Sequence, residues 1–270
     1  MSLTPYYSDA AVQLFHGDCR EILPTIERVD HVITDPPYEA ESHTLARRVQ
    51  RGTVSARHWR GRNSELRETA LSFAAIDEET RSKAACHFAR MSRRWALVFC
   101  QAEAAHKWEG LLTENGMTRR RWCVWVKPDG QPQFSGDRPG VGYETIVACH
   151  ASGRSRWNGG GRLGVFTHAK NVTGSQFSEP HPTTKPERLM EDLVSLFTDP
   201  SDLILDPFGG SGTTAVAAKR LGRRCILIER EEKYCEVAAK RLSQGALGLW
   251  APADEVHSQD GLALMPEGPP

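Results

Sequence analysis

The chain has 270 residues, 39% hydrophobic and 25% charged, enough apolar material for one large α/β domain with insertions or for two small ones, and too much for broad disorder. Lysine plus arginine and aspartate plus glutamate both number 34, so the formal net charge is zero, and a nucleic-acid binder of this composition must segregate its charge. No long apolar run or signal peptide opens the sequence, which predicts a soluble, cytoplasmic protein, and seven scattered cysteines without a C-x-x-C pair predict reduced thiols and no metal site.

In chain order, Val12, Leu14 and Phe15 predict a strand over 12–16, closed by Gly17-Asp18. Cys19 to Glu27 predicts a helix with Ile22, Leu23 and Ile26 on one face. The apolar run His31-Val32-Ile33-Thr34 predicts a buried strand that ends in Asp35-Pro36-Pro37-Tyr38. Two successive prolines cannot continue a ladder, because they lack an N–H and hold φ fixed. The strand–helix–strand unit places Asp18 and Asp35 at the carboxyl ends of parallel strands, the edge where open α/β sheets bind ligands. A flat, amine-bearing base suits that turn, with its amino group on Asp35 and the Pro36 carbonyl and its ring on Tyr38. The plain alternatives are a proline-rich turn for this motif and a helix N-cap for Asp18.

Residues 39–85 break the core pattern. Arg47, Arg48, Arg51, Arg57, Arg60, Arg62 and Arg67 outnumber the local acids, which suits either a solvated loop or a segment that contacts DNA phosphates beside the site. A helix follows from Asp77 to Met91, with Glu78 and Glu79 in its first turn. Trp95 to Cys100 predicts a buried strand, Ala102 to Thr113 a helix capped at Asn115-Gly116, and Arg121 to Val126 another strand. Lys127-Pro128-Asp129-Gly130 predicts a turn, and Tyr143 to His150 the next strand. Residues 151–180, rich in Gly, Ser, Asn and Arg, lie outside the expected core. They suit either a connector or, through Arg154, Arg156, Trp157 and Lys170, backbone contact with stacking or wedge insertion on a nucleic acid.

Glu187 to Phe197 predicts a helix started by Pro186 at its first position. Leu203 to Asp206 predicts a strand, followed by a turn in which Gly209, Gly210 and Gly212 permit close backbone approach by a ligand. A helix from Thr213 to Leu221, a strand from Cys225 to Ile228 and a helix from Glu231 to Leu242 complete the pattern. Glu229, an acid at a strand end after a glycine turn, is placed to hold ribose hydroxyls. Residues 245–270 predict a poorly ordered tail.

Asp35-Pro36-Pro37-Tyr38 and the stretch from Asp206 to Thr214 together resemble the catalytic and cofactor motifs of the DNA amino-methyltransferases. These enzymes methylate an exocyclic nitrogen of adenine or cytosine with S-adenosylmethionine. The catalytic motif comes first, as in the beta class. The resemblance spans most of Val12 to Leu242 and is weak over 39–85 and 151–180. It implies a doubly wound, mostly parallel α/β sheet of the Rossmann-like methyltransferase type with an antiparallel edge hairpin, formed by Val124 to Lys127 and Tyr143-Glu144. It implies one domain over 1–244 with recognition insertions, double-stranded DNA as partner and base flipping; a homodimer is left open. Asp35, Pro36, Pro37 and Tyr38 take the catalytic role. The cofactor falls to Asp18, Asp206, Pro207, Phe208, Gly209, Gly210, Ser211, Gly212, Thr213 and Glu229. His181 to Pro186 resembles the segment entering the preceding helix, with Thr184 where the family usually has Gln, and adds Lys185 to the cofactor set. Arg47, Arg48, Arg57, Arg60, Arg62, Arg154, Arg156 and Lys170 are the candidate DNA contacts. Asp at the first motif position usually accompanies adenine N6, and Ser accompanies cytosine N4.

Gly210-Ser211-Gly212-Thr213-Thr214-Ala215 with Glu229 also fits a dinucleotide fingerprint. An NAD-dependent oxidoreductase is therefore the enzymatic rival, although Asp35-Pro36-Pro37-Tyr38 has no role in hydride transfer. No Gly-Lys-Ser/Thr is present for a P-loop. A DNA-binding protein that has lost catalysis would not need an intact Asp35 and glycine loop.

Overall fold

The computed structural model describes residues 4–38, 75–130, 139–170 and 184–244. The strands are β1 Tyr7–Ser8, β2 Val12–His16, β3 His31–Thr34, β4 Trp95–Cys100, β5 Thr118–Val126, β6 Tyr143–His150, β7 Val165–Thr167, β8 Leu203–Asp206 and β9 Arg224–Glu229. The helices are α1 Cys19–Ile22, α2 Glu78–Met91, α3 Ala105–Glu114, α4 Glu187–Phe197, α5 Thr213–Arg220 and α6 Glu232–Gln244.

The strands form one sheet in the order β1-β2-β9-β8-β3-β4-β6-β5-β7. β2, β9, β8, β3 and β4 run parallel. β6 is antiparallel to both β4 and β5, β7 is parallel to β5, and β1 is antiparallel to β2. Every residue of β3 and β4 is buried, as expected for parallel strands covered on both faces. Alternate side chains feed two cores. Leu14, Ile33, Leu97, Phe99, Ile204 and Leu227 pack with α4, α5 and α6, while Val32, Ala96, Val98, Leu205 and Ile228 pack with α2 and α3 around Phe88 and Trp108. β8 lies between β9, its successor in sequence, and β3, so the strand order reverses there, and the carboxyl ends of β8 and β3 are where open α/β sheets bind ligands.

Several boundaries differ from expectation. The helix expected from Cys19 to Glu27 stops at Ile22 and tightens into a 3₁₀ turn, Leu23–Thr25, because Pro24 has no N–H to donate to a continuing helix. Pro186 occupies the N-cap of α4 rather than its first helical position. The expected antiparallel hairpin is present as β5–β6, pairing Val126 with Tyr143, but β7 adds outside it. Residues 151–170 therefore contribute to the core after all: Phe166 is 3% exposed, and Trp157 meets Phe197 edge-on at 4.8 Å; residues 171–180 lie outside the described residues. The arginine-rich residues 39–74 and the tail 245–270 lie outside the described residues. Among the described residues no helix is long and apolar enough to cross a membrane, no group of three acids, histidines or cysteines could hold a metal, and all seven cysteines are free.

Candidate active site

β3 delivers Asp35 to the carboxyl edge, and the prolines carry the chain on to Tyr38. The Tyr38 carbonyl accepts from the Ile76 N–H at 3.3 Å, so the described residues on either side of 39–74 meet beside the catalytic motif. Three further elements converge on Asp35. Lys185, just before α4, donates from Nζ to Asp35 Oδ2, and its Nζ lies 3.2 Å from Glu144 Oε2 and 3.4 Å from the Tyr38 hydroxyl. Glu144, near the start of β6, accepts from the Tyr38 hydroxyl at 2.5 Å and from Lys127 at the end of β5. Rings of Phe99, Tyr38 and Trp125 surround the Lys185 ammonium at 5.1, 5.4 and 5.9 Å, within cation–π range. Asp35 Oδ1 is buried with no hydrogen-bond partner among the described residues.

The electrostatics follow from this crowding. Burial pushes the Asp35 carboxyl up, Glu144 adds to the rise, and Lys185 opposes it. Burial also works to raise Glu144, but Lys185 and Lys127 outweigh it and hold that carboxyl at about 2. Burial disfavours the Lys185 ammonium, yet Asp35 and Glu144 outweigh it and raise its pKa. Burial, Asp35 and Glu144 push the Tyr38 hydroxyl well above its usual range.

The glycine turn after β8 is built to close tolerance. Gly209 lies against β9, where an added Cβ would come within 2.5 Å of Leu227 Cγ and 3.1 Å of the Ile228 carbonyl oxygen. Gly212 starts α5 at φ 79°, where an added Cβ would meet Ala238 Cβ at 2.9 Å. Asp206 is 3% exposed and fully engaged by its own fold. It accepts from Thr34 Oγ1 at 2.7 Å, Thr214 Oγ1 at 2.6 Å and the Phe208 N–H at 3.2 Å. Burial raises its carboxyl to about 6. Glu229 accepts from the N–H groups of Gly210 and Glu231, both at 2.7 Å, and burial raises it too. Asp18 caps α1 by accepting from the Arg20 N–H at 2.8 Å and pairs with the Arg20 guanidinium.

The expected site residues therefore divide into groups. Asp35, Tyr38 and Lys185 share one cluster, so Lys185 stands with the catalytic motif rather than with the glycine loop. Asp206 to Thr213 and Glu229 share the loop. Sequence reasoning left Glu144, Lys127, Phe99 and Trp125 out of the site, although the pairing of Val126 with Tyr143 aligns two of them. It also missed Arg241 on α6, which donates to the Ser211 carbonyl at 2.6 Å, to Thr213 Oγ1 at 3.2 Å and to Glu187 at 2.6 Å.

The candidate DNA contacts of 151–180 are split by the sheet. The Trp95 indole, at the start of β4, donates to the Arg156 carbonyl at 2.5 Å, and the Arg156 guanidinium pairs with Asp199 at 3.1 Å. Arg154 and Arg156 thus belong to the amino edge, opposite Asp35. β7 then returns the chain to the catalytic edge, where the Lys170 N–H meets the Asp129 carboxylate at 2.9 Å. The described residues 151–170 thus run from one edge of the sheet to the other. Arg47, Arg48, Arg57, Arg60 and Arg62 lie outside the described residues.

Comparisons with known proteins give the family and the fold. A family model described as DNA methylase, of the N6/N4 type, matches residues 29–240. The chain is 26% identical over 274 residues to the type II methyltransferase M2.LlaDCHI of Lactococcus lactis subsp. cremoris, covering 90% of this chain and 93% of the relative. It is 27% identical over 255 residues to the type II methyltransferase M.HinfI of Haemophilus influenzae, covering 86% and 68%. The M1.HpyAVI–SAM complex aligns with a TM-score of 0.65 at 26% identity, over 86% of this chain and 98% of that one. The cytosine-N4-specific PvuII DNA methyltransferase shares the fold, with a TM-score of 0.67 at 17% identity over 88% of each chain. The family match spans both the Asp35 cluster and the glycine loop, and with it the chain belongs to the DNA methylase family, the S-adenosylmethionine-dependent amino-methyltransferases of DNA.

Proposed function

We propose that this chain methylates the exocyclic amine of a base extruded from double-stranded DNA, and that the base is adenine, modified at N6. The observation that carries the reading is Asp35: one oxygen is held by Lys185, and the other is buried without a partner among the described residues, at the carboxyl edge of the sheet. The finer choice of adenine rests on the aspartate at the first motif position, a correlation within the resembled family.

The residues fit the cofactor. The glycines at 209, 210 and 212 leave much of the loop as bare backbone, and Glu229 stands at the neighbouring strand end, as a ribose-binding acid does. Glu229, the backbone from Pro207 to Thr213 and Asp18 would hold it, while Asp206 holds the loop in place. When bound, S-adenosylmethionine supplies an electrophilic methyl group on a sulfonium sulfur.

The chain supplies orientation and charge. Asp35 Oδ1 and the Pro36 carbonyl accept the target N–H groups, which turns the nitrogen lone pair out of the base plane. Fixing that geometry is worth several kcal/mol at a bimolecular step. The Asp35 carboxylate also stabilises the positive charge that grows on nitrogen, and Asp35 Oδ1 is the nearest acceptor for the proton the nitrogen then releases. The Tyr38 ring, pinned through its hydroxyl to Glu144, offers the stacking face for a flipped base. The arginines between Tyr38 and Ile76 in sequence suit phosphate binding by their charge.

The test is digestion of DNA methylated by the purified protein, followed by mass spectrometry of its nucleosides. N6-methyladenine supports the reading, N4-methylcytosine overturns the choice of base, and no methylated nucleoside overturns the activity.

A further inference from the structure

We infer that Lys185 and Glu144 are positioning residues for methyl transfer: Glu144 holds the Lys185 ammonium, and Lys185 holds one oxygen of Asp35 so that the other is presented to the target amine. The inference rests on the reading of Asp35 given above and extends it to residues on two other elements.

Geometry carries the argument. Lys185 Nζ bridges Asp35 Oδ2 and Glu144 Oε2, and its side chain is only 8% exposed. Three rings face the ammonium, so this is a built cation site rather than a surface lysine at rest. Glu144 is itself fixed from two other directions, by Lys127 and by the Tyr38 hydroxyl. Among the described residues the single unpartnered oxygen of the cluster is Asp35 Oδ1, the one a substrate amine needs. A buried ion pair is weak evidence for stability, since apolar residues of like volume often do as well. This one leaves a reactive carboxylate half-satisfied, which suits positioning.

Charge points the same way. The groups facing Asp35 are Tyr38 beyond β3, Glu144 on β6, Lys127 at the end of β5, Lys185 before α4 and Asp206 at the end of β8, with Cys100 of β4 next to Tyr38. Two ammonium groups thus serve two carboxylates, Lys185 both Asp35 and Glu144 and Lys127 Glu144 alone, so loss of Lys185 leaves excess negative charge in a buried space. Asp35 then takes up a proton more readily. A protonated Asp35 is a poorer acceptor for the amine and cannot stabilise charge on nitrogen.

The experiment is a pH–rate profile of single-turnover methyl transfer to DNA amplified in vitro, which carries no prior methylation. Wild type is compared with Lys185→Met, Lys185→Arg and Glu144→Gln, each first checked for S-adenosylmethionine binding by calorimetry. The acidic limb is expected to move to higher pH in Lys185→Met, to return toward wild type in Lys185→Arg, and to move to lower pH in Glu144→Gln. A purely structural bridge would lower the rate at every pH without moving the limb. A cofactor-binding Lys185→Met whose limb coincides with wild type overturns the inference. If Lys185→Met does not bind cofactor, Glu144→Gln decides: a limb at lower pH supports the inference, and an unmoved one overturns it. Wild type that transfers no methyl to this DNA overturns the underlying reading instead, so the two failures are distinguishable.

Discussion

Replacing Glu229 with alanine tests the link between the glycine loop and the cofactor. In the structure its two carboxylate oxygens each accept one N–H at 2.7 Å, from Gly210 in the loop and from Glu231 beyond the strand. The alanine variant loses both acceptors along with the acid proposed to meet the ribose. The free protein recovers part of that loss, because Gly210, at φ 50°, can turn its N–H toward water. The bound state cannot, since the loop must keep its shape around the ligand. One unmet buried donor costs about 1–3 kcal/mol, or roughly 5- to 150-fold in affinity. Glu229→Gln, which keeps one acceptor oxygen, should fall between the two. The assay is calorimetric titration with S-adenosylmethionine, with circular dichroism to establish folding. A folded Glu229→Ala variant with unchanged affinity would refute both the Gly210–Glu229 hydrogen bond as a determinant of binding and the role of Glu229.

Tyr38→Ala should weaken capture of the flipped base by about 1–3 kcal/mol of stacking, read as a raised KM for DNA; Tyr38→Phe should bind more nearly like wild type while giving up the anchor to Glu144. Asp206 bears on stability: its carboxyl is raised to about 6 in the fold, so its stabilising contribution is complete below its ordinary value near 3.8 and is lost as pH rises through about 6. Asp206→Asn has no such group to titrate, so its Tm relative to wild type should rise between about pH 4 and pH 6, and a constant difference would refute the assignment. Neutralising Arg57, Arg60 and Arg62 should flatten the log-affinity versus log-salt plot for DNA by about 0.9 for each phosphate these side chains neutralise, whereas neutralising Arg154 and Arg156, on the opposite edge, should leave the slope unchanged.

The sheet was legible where hydrophobic pattern and turn chemistry agree. Every residue of β3 and β4 is apolar or buried by its neighbours, and Asp35-Pro36-Pro37 and Gly209 to Gly212 mark where strands end. Residues 165–167 were missed because three residues form no periodic pattern, and Phe166 is buried only because β5 lies alongside. Helix α1 was overestimated because Ile22, Leu23 and Ile26 do share a face, while Pro24 still ends the helical hydrogen bonding. The motif residues of the site could be read from local sequence. Glu144, Lys127 and Lys185 could not be joined to Asp35 in that way, since their convergence depends on strand order: β6 beside β4, and α4 leading into β8. Arg241 is still harder to see, because an arginine in the last turn of a helix ordinarily serves that helix's own dipole. The division of 151–170 between opposite edges likewise appears only once β7 is placed.

The central claim is that Asp35 performs the chemistry at a site whose cofactor is held by other strands. The measurement that tests it most directly is transfer of labelled methyl groups from S-adenosylmethionine to DNA by Asp35→Ala, paired with calorimetric binding of the cofactor to the same preparation. Turnover should vanish while cofactor affinity stays near wild type, because Glu229 and the glycine loop are supported by β8, β9 and α6. Methylation at near wild-type rate by that variant would contradict the account.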